Sequence, residues 1–458
     1  VTSPFRSIRH PRAALAFAAL FGAVQLLLWY AYYRHGAKLL IGDEQHYQQA
    51  ALATLGGGPW MTSPIWPPLQ PVFLAALYLP FGVHLPVVQV AQTVLFVACA
   101  ALLRDLWRHL GGSVAAANAA AALFLLHPGI AGFAHWLWPE IPHLFLLLAA
   151  ACLLVRAPST ARAALAGLCI GLAILAKSLL SPFWPVFLLV FLRRGRPRLA
   201  WRAAGAFVLG LVLVTAPALL HGWRSYGTPM IADSSIYNLR IGLTDRWRSD
   251  YIGDMGGVTL PEYLASGATP AERNAAWRDD VLALVRERGP LALLAGQLER
   301  QYFRLFSAKT LLVSQLPGPA CAGHLSVYRA SPLLTHVSTA LNHVLHAAML
   351  ALAAFGLAIA RRPRAVAQAP QVVAMRWVLA LFVAYQLALF LLIHVKARFL
   401  LPMTPILCGL AGTALARIGG RDGGMEDASS LRIAFGALLA ALLLFLAFGG
   451  PLLDRSCT

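Results

Sequence analysis

Charge is scarce in this 458-residue chain: only 12% of it is Asp, Glu, Lys or Arg, about half the share of a soluble domain. So little charge cannot cover a water-facing surface, and a soluble enzyme is excluded. Acidic residues are the scarcer sign, 18 against 37 Lys and Arg. Paired cysteines are missing too. The six cysteines are scattered, no C-x-x-C occurs, and neither a disulfide framework nor a metal site is indicated. Cys99, Cys152, Cys169 and Cys408 lie in apolar runs and read as small core residues, whereas Cys321 and Cys457 do not. Internal repeats and low-complexity segments are absent. No basic run is interleaved with aromatics that could stack on bases, which argues against nucleic acid.

What the chain has is apolar sequence. Hydrophobic residues make up 59%, and the mean hydropathy is +0.67. Arg6, Arg9 and Arg12 precede an apolar stretch from Ala13 to Tyr33. Its 21 residues would rise about 31 Å as a helix, enough to cross a bilayer core and longer than a signal-peptide core. It ends in Trp29, Tyr30, Tyr32 and Tyr33, an aromatic belt, and reads as a retained span. Further spans are expected at about 85–103, 114–131, 141–155, 163–180, 182–192, 203–221, 336–360, 373–394, 399–416 and 433–450. The apolar piece Leu69–Phe81 has 13 residues with Pro71 and Pro80 near its ends, and is expected to lie along one face without crossing. The fold class is therefore an all-α polytopic membrane protein of about 11 spans, with exterior juxtamembrane helices and a mixed exterior domain.

This topology sorts the basic residues. Nineteen arginines fall inside, among them Arg104, Arg108, Arg156, Arg193, Arg361 and Arg417. Outside the large loop, only Arg34, Lys38, Lys177, Lys396, Arg398 and Arg455 face the other way. By the positive-inside rule the N-terminus is cytoplasmic. Three regions follow: a transmembrane module at 1–221 with an exterior loop at 34–84, an exterior domain at 222–335, and C-terminal spans at 336–458. Helical-looking runs cover Pro270–Arg288 and Pro290–Leu312.

Ionisable residues gather at the exterior ends of the spans: Asp43 and Glu44, Glu140, Lys177, Lys396 and Arg398. Such groups at membrane depth are costly and point to function. Each also has a plainer reading. Asp43 could cap a helix, Glu140 could start one, and the basic residues could anchor to lipid. Trp60, Trp66, Trp136 and Trp138 read as an interfacial belt. His46, His135 and His143 have no metal spacing. Cations can hold a phosphate, and a carboxylate beside them can act as base or hold a divalent cation. Transfer from a lipid phosphate uses both, as would a phosphatase or a lipid-modifying transferase.

The motifs Gly42-Asp43-Glu44-Gln45-His46-Tyr47, Pro67-Pro68-Leu69-Gln70-Pro71, Trp138-Pro139-Glu140, Gly171 to Lys177, Tyr237 to Gly242 and Arg398-Phe399-Leu400-Leu401-Pro402 run in order through the chain. Together they resemble the GT-C superfamily of membrane glycosyltransferases, in the branch of protein O-mannosyltransferases and lipid A aminoarabinose transferases. Ala176 stands where relatives commonly carry Thr, and Phe399 where many carry Tyr. The resemblance implies a polyprenyl-phosphate sugar donor and a lipid, glycan or protein acceptor. It implies an integral protein of the bacterial inner membrane with a periplasmic active site. It makes Asp43, Glu44 and Glu140 the catalytic candidates. Lys177, Arg398, Lys396, Arg240, His46 and Tyr47 become the substrate-binding candidates. A divalent cation, Mg or Mn, would fall to Asp43 and Glu140. The competing reading is a transporter or flippase for a lipid-linked saccharide, and the third is an envelope assembly subunit. Transporters often show internal repeats and midplane charges, which this chain lacks.

Overall fold

The computed structural model describes residues 11–33, 40, 42–61, 64–156, 159–192, 197–244, 255–308, 332–359, 369–420 and 429–450. Several expected features lie outside them: Arg6, Arg9, Arg34, Lys38, Arg193, Arg361, Arg455, Cys321, Cys457 and the stretches 245–254 and 309–331.

The described residues are helical, with no strand. The helices are α1 (Pro11–Tyr33), α2 (Asp43–Leu55), α3 (Leu69–Phe81), α4 (Leu85–His109), α5 (Val114–Leu126), α6 (Pro128–Ala131), α7 (Glu140–Val155), α8 (Thr160–Ala176) and α9 (Pro197–Tyr226). After them come α10 (Ser235–Thr244), α11 (Met255–Ala265), α12 (Pro270–Arg288), α13 (Pro290–Arg300), α14 (Pro332–Ile359), α15 (Pro370–Leu389), α16 (Thr404–Ile418) and α17 (Ser430–Leu444). Among the described residues six stretches are long and apolar enough to cross a membrane: Leu85–His109, Arg198–Tyr226, Thr339–Ile359, Pro370–Leu389, Ala397–Ile418 and Ser430–Gly449. A seventh candidate is a pair, Val114–Leu126 with Pro128–His135, bent by 63°. Leu15–Tyr30, Leu69–Phe81, Glu140–Val155 and Thr160–Ala176 are shorter apolar helices. The thirteen residues of α3 rise only about 20 Å.

Three departures from the expected spans have local causes. The run 114–131 is broken because Pro128 disfavours helix at the residue before it, and His127 is extended at φ −75°, ψ 109°. The segment 182–192 is not an α-helix. It holds a 3₁₀ helix, Trp184–Phe191, packed against α15. The region expected as a mixed domain has helices as its only regular structure among the described residues, with α12 spanning Pro270–Arg288 as expected. Thr269 and Glu272 close that helix with a capping box.

Small residues let the helices approach. A Cβ on Gly167 would overlap the carbonyl of Phe207, so α8 and α9 touch backbone to backbone. The end of a 3₁₀ helix, Gly132–His135, and the bends after it would leave carbonyls unsatisfied in an apolar surround. Amide side chains meet them. Gln92 donates to the Ala134 and Trp136 carbonyls at 3.1 and 2.6 Å, Gln89 to His135 at 3.1 Å, and Gln70 to Leu137 at 3.0 Å.

The helices α10, α11 and α12 form a second small core around Tyr237, Ile241, Tyr263 and Trp277. Asp233 anchors it. Its carboxylate accepts from Tyr263 Oη at 2.7 Å, Arg273 Nη2 at 3.0 Å and Asn274 Nδ2 at 2.5 Å. The Asp233 N–H donates to the Pro64 carbonyl at 2.5 Å, tying this unit to the loop before α3. Both Asp233 and Arg273 are buried. Asp233→Ala should therefore cost about 3–5 kcal/mol, because it strands a buried guanidinium. Thermal unfolding in detergent checks this, and an unchanged midpoint would refute it.

Candidate active site

Four segments distant in sequence bring their charged side chains together. Gly42 adopts φ +57°, a conformation that favours glycine, and turns the chain into α2 so that Asp43 is its first residue. Asp43 does not cap that helix. Its Oδ2 instead accepts a hydrogen bond from Arg398 Nη2 at 2.8 Å. Glu140 opens α7 after Pro139 and is buried. Its Oε1 accepts from Lys177 Nζ at 2.8 Å and lies 3.9 Å from Arg398 Nε. The result is a continuous array, Asp43–Arg398–Glu140–Lys177. Both carboxylates sit in the first turn of a helix, where the backbone dipole favours negative charge.

Rings hold the cations in place. The Arg398 guanidinium lies 4.6 Å from the Trp138 ring centre and 5.6 Å from that of Phe399, while Lys177 Nζ lies 5.7 Å from Phe399. Arg398 belongs to a 3₁₀ helix, Ala397–Met403, entered through the extended Lys396. The preceding turn is fixed from α13: Gln297 donates to the carbonyls of Phe390 and Ile393 at 3.2 and 2.7 Å. On the far side, α8 stops at Lys177, which is extended.

Burial and neighbouring charge tune these groups. Burial raises the Asp43 pKa, but the Arg398 and Lys396 charges and the Arg398 hydrogen bond more than offset it, leaving it below the ordinary carboxylate value. Burial lowers Lys177, with Glu140 opposing, and holds Lys396 well below an ordinary lysine with help from Arg398. Burial and the Asp43 charge push Tyr47 up, so it stays a phenol at neutral pH. Glu140 Oε2 and Trp138 Nε1 are buried without a hydrogen-bond partner among the described residues.

The expected site residues divide. Asp43, Glu140, Lys177 and Arg398 meet directly, and Lys396 and Tyr47 are buried close enough to feel their charge. Glu44 turns away: fully buried, it accepts the Leu137 N–H at 2.9 Å and helps fix the stretch before Glu140. Arg240 lies in the second unit, paired with Asp280 at 2.9 Å and 4.6 Å from the Trp277 ring centre. His46 stacks on Trp66 at 4.6 Å. Trp136 and Trp138 are not an interfacial belt. Both are buried and stack on each other at 4.5 Å. Sequence reasoning missed Trp138 and Phe399 as partners of the cations, although each adjoins a charged motif residue or lies two positions from one. It also missed the amides that brace the site.

Beside the array lies a cavity of about 290 Å³ bounded by His46, Tyr47 and Ala50 of α2 and by Trp60, Trp66 and Pro68. Asp43, His46, Tyr47 and Ala50 follow helical spacing and share one face of α2. Among the described residues no cluster of three or more His, Cys, Asp or Glu side chains could hold a metal.

Residues 321–452 match the Alg9-like mannosyltransferase family. No curated protein matches the chain in sequence. Among solved structures, the oligosaccharyltransferase AglB from Archaeoglobus fulgidus, in complex with an inhibitory peptide and a dolichol-phosphate, aligns with 97% of this chain at 14% identity and a TM-score of 0.46. This chain spans 56% of that protein's length. ArnT from Cupriavidus metallidurans, bound to undecaprenyl phosphate, aligns with 94% of this chain and 78% of its own, at 17% identity and a TM-score of 0.37. The family match over residues 321–452 bears out the resemblance to GT-C glycosyltransferases read from the sequence motifs.

Proposed function

We propose that the protein is a membrane glycosyltransferase that moves a sugar from a polyprenyl-phosphate donor to an acceptor hydroxyl. The observation that carries this reading is the Asp43–Arg398–Glu140–Lys177 array, buried at helix ends beside an open cavity. Arg398 and Lys177 place two cationic donors at helix ends in this array, which suits an anionic leaving group. In the proposed step the acceptor oxygen bonds to the anomeric carbon. The bond from that carbon to the phosphate oxygen breaks, and its electron pair leaves on the phosphate. Asp43 takes the hydroxyl proton, and Arg398 and Lys177 stabilise the departing charge. Glu140 bridges these two cations and offsets their mutual repulsion. The positive-inside asymmetry supports an inner-membrane protein with the N-terminus cytoplasmic and the site periplasmic. Purified protein with a radiolabelled polyprenyl-phosphate sugar tests the reaction. Label moved across vesicles with no transfer to any acceptor would instead favour the flippase.

A divalent cation fits this site poorly. Asp43 Oδ2 and Glu140 Oε1 each accept from a cationic nitrogen at 2.8 Å, and no third His, Cys, Asp or Glu among the described residues joins them to complete a ligand set. Transfer should therefore survive EDTA, and loss restored by Mg or Mn would overturn that assignment.

The pH profile follows from the shifts. Asp43 must be ionised to accept a proton, and its pKa is lowered, so the acid limb should lie below the ordinary value of 3.8. Lys177 must be protonated to hold phosphate, and its pKa is also lowered, so the alkaline limb should begin below 10.5. An acid limb near 6 that survives Asp43→Glu would point to a different base.

A further inference from the structure

We infer that the cavity beside Asp43 is the acceptor subsite and that it takes an uncharged sugar ring, so that the acceptor is a saccharide or saccharide-bearing lipid presenting a neutral pyranose. This rests on the proposed transferase reading and names its acceptor class. The placement comes first. His46, Tyr47 and Ala50 line the cavity from the same face of α2 that carries Asp43 one turn away, so a ring seated there can turn a hydroxyl to the carboxylate. Composition comes second. The walls carry two indoles, Trp60 and Trp66, a phenol and an imidazole, with no Lys, Arg, Asp or Glu among the lining residues. The axial C–H groups of a pyranose pack on such ring faces, and its hydroxyls need a few edge donors and acceptors, which Gln49, His46 and Tyr47 supply. A phosphorylated headgroup would find no cation in this wall. Size is the third point. About 290 Å³ sits at the lower end of small-molecule sites and holds a ring or two, not a folded partner.

The wall is also preformed. His46 and Trp66 stack with 22° between their planes, and Ile65 of the same loop packs into the core of Tyr237, Tyr263 and Trp277. The Asp233 N–H on the Pro64 carbonyl fixes the loop from the second unit. The platform therefore need not be assembled by the ligand, which lowers the ordering cost of binding.

Two measurements on the full chain in nanodiscs test this. The first is saturation-transfer NMR with methyl hexopyranosides, with a Ser/Thr hexapeptide and glycerol phosphate as comparators; it needs no donor and no turnover. Contact is expected for at least one hexopyranoside and not for the comparators. Contact should be lost in Trp66→Ala and Trp60→Ala and kept in Trp66→Phe. The second is transfer to a saccharide acceptor, where Trp66→Ala should raise acceptor KM at least tenfold while polyprenyl-phosphate binding stays unchanged. A peptide or phosphate ester that binds in the hexopyranosides' place would overturn the assignment. So would hexopyranoside contact that persists in both Ala variants. If the sugars bind but polyprenyl phosphate does not, the transferase reading fails while the subsite stands.

Discussion

Asp43→Asn should lower sugar transfer by about 10²–10⁴-fold, the usual loss on removing a general base. Asn is nearly isosteric, and Asp43 makes no side-chain cap on α2, so no capping hydrogen bond is lost; the helix start loses only the favourable charge in its first turn. What disappears is the negative charge against Arg398. That pair lowers the Asp43 pKa in the folded state, so its contribution to stability is present above the unfolded carboxylate pKa and is lost as pH falls through the folded one. The variant should thus unfold somewhat earlier than the parent at neutral pH and match it in strong acid. Donor binding should persist, because Arg398, Lys177 and Lys396 all remain. Near-normal transfer by the folded Asn variant would remove Asp43 from the chemistry.

Arg398→Ala should weaken polyprenyl-phosphate binding about 10–100-fold, the scale of a charged hydrogen bond removed from a poorly hydrated site. It should slow transfer at saturating donor as well, since the same guanidinium faces the leaving phosphate in the transition state. Arg398 also offsets the mutual repulsion of Asp43 and Glu140, so some loss of stability will accompany the change. Arg398→Lys separates the two effects. It restores a positive charge between the carboxylates, yet it cannot form a two-pronged contact or lie flat on Trp138, so stability should recover further than donor affinity. Unchanged donor affinity in Arg398→Ala would return this residue to the role of a lipid anchor.

Much of the architecture was legible in the chain because hydropathy is a local signal. Six of the eleven expected spans, the start of α12 and the end of α8 near Lys177 follow from runs of apolar residues, prolines and caps within a few positions of each other. The bend at Pro128 was equally local, but an unbroken apolar run concealed it.

The site was legible only as a set of suspects. Sequence showed that Asp43, Glu140, Lys177 and Arg398 all fall at span ends of one sidedness, since charge is expensive in an apolar run and stands out. It could not show that Arg398 lies between two carboxylates 355 and 258 positions away, nor that Glu44 points into the protein while its neighbour Asp43 points to Arg398. Those choices depend on how helices from both halves of the chain pack. A one-residue step on α2 turns a side chain through about 100°. Gln70, Gln89, Gln92 and Gln297 tell the same story: each looks like an isolated polar residue until the fold places a bare carbonyl opposite it. Sequence determined which residues could not stay in lipid. The tertiary structure decided which of them meet, because pairing energies fall off within a few ångströms and only packing sets distances that short.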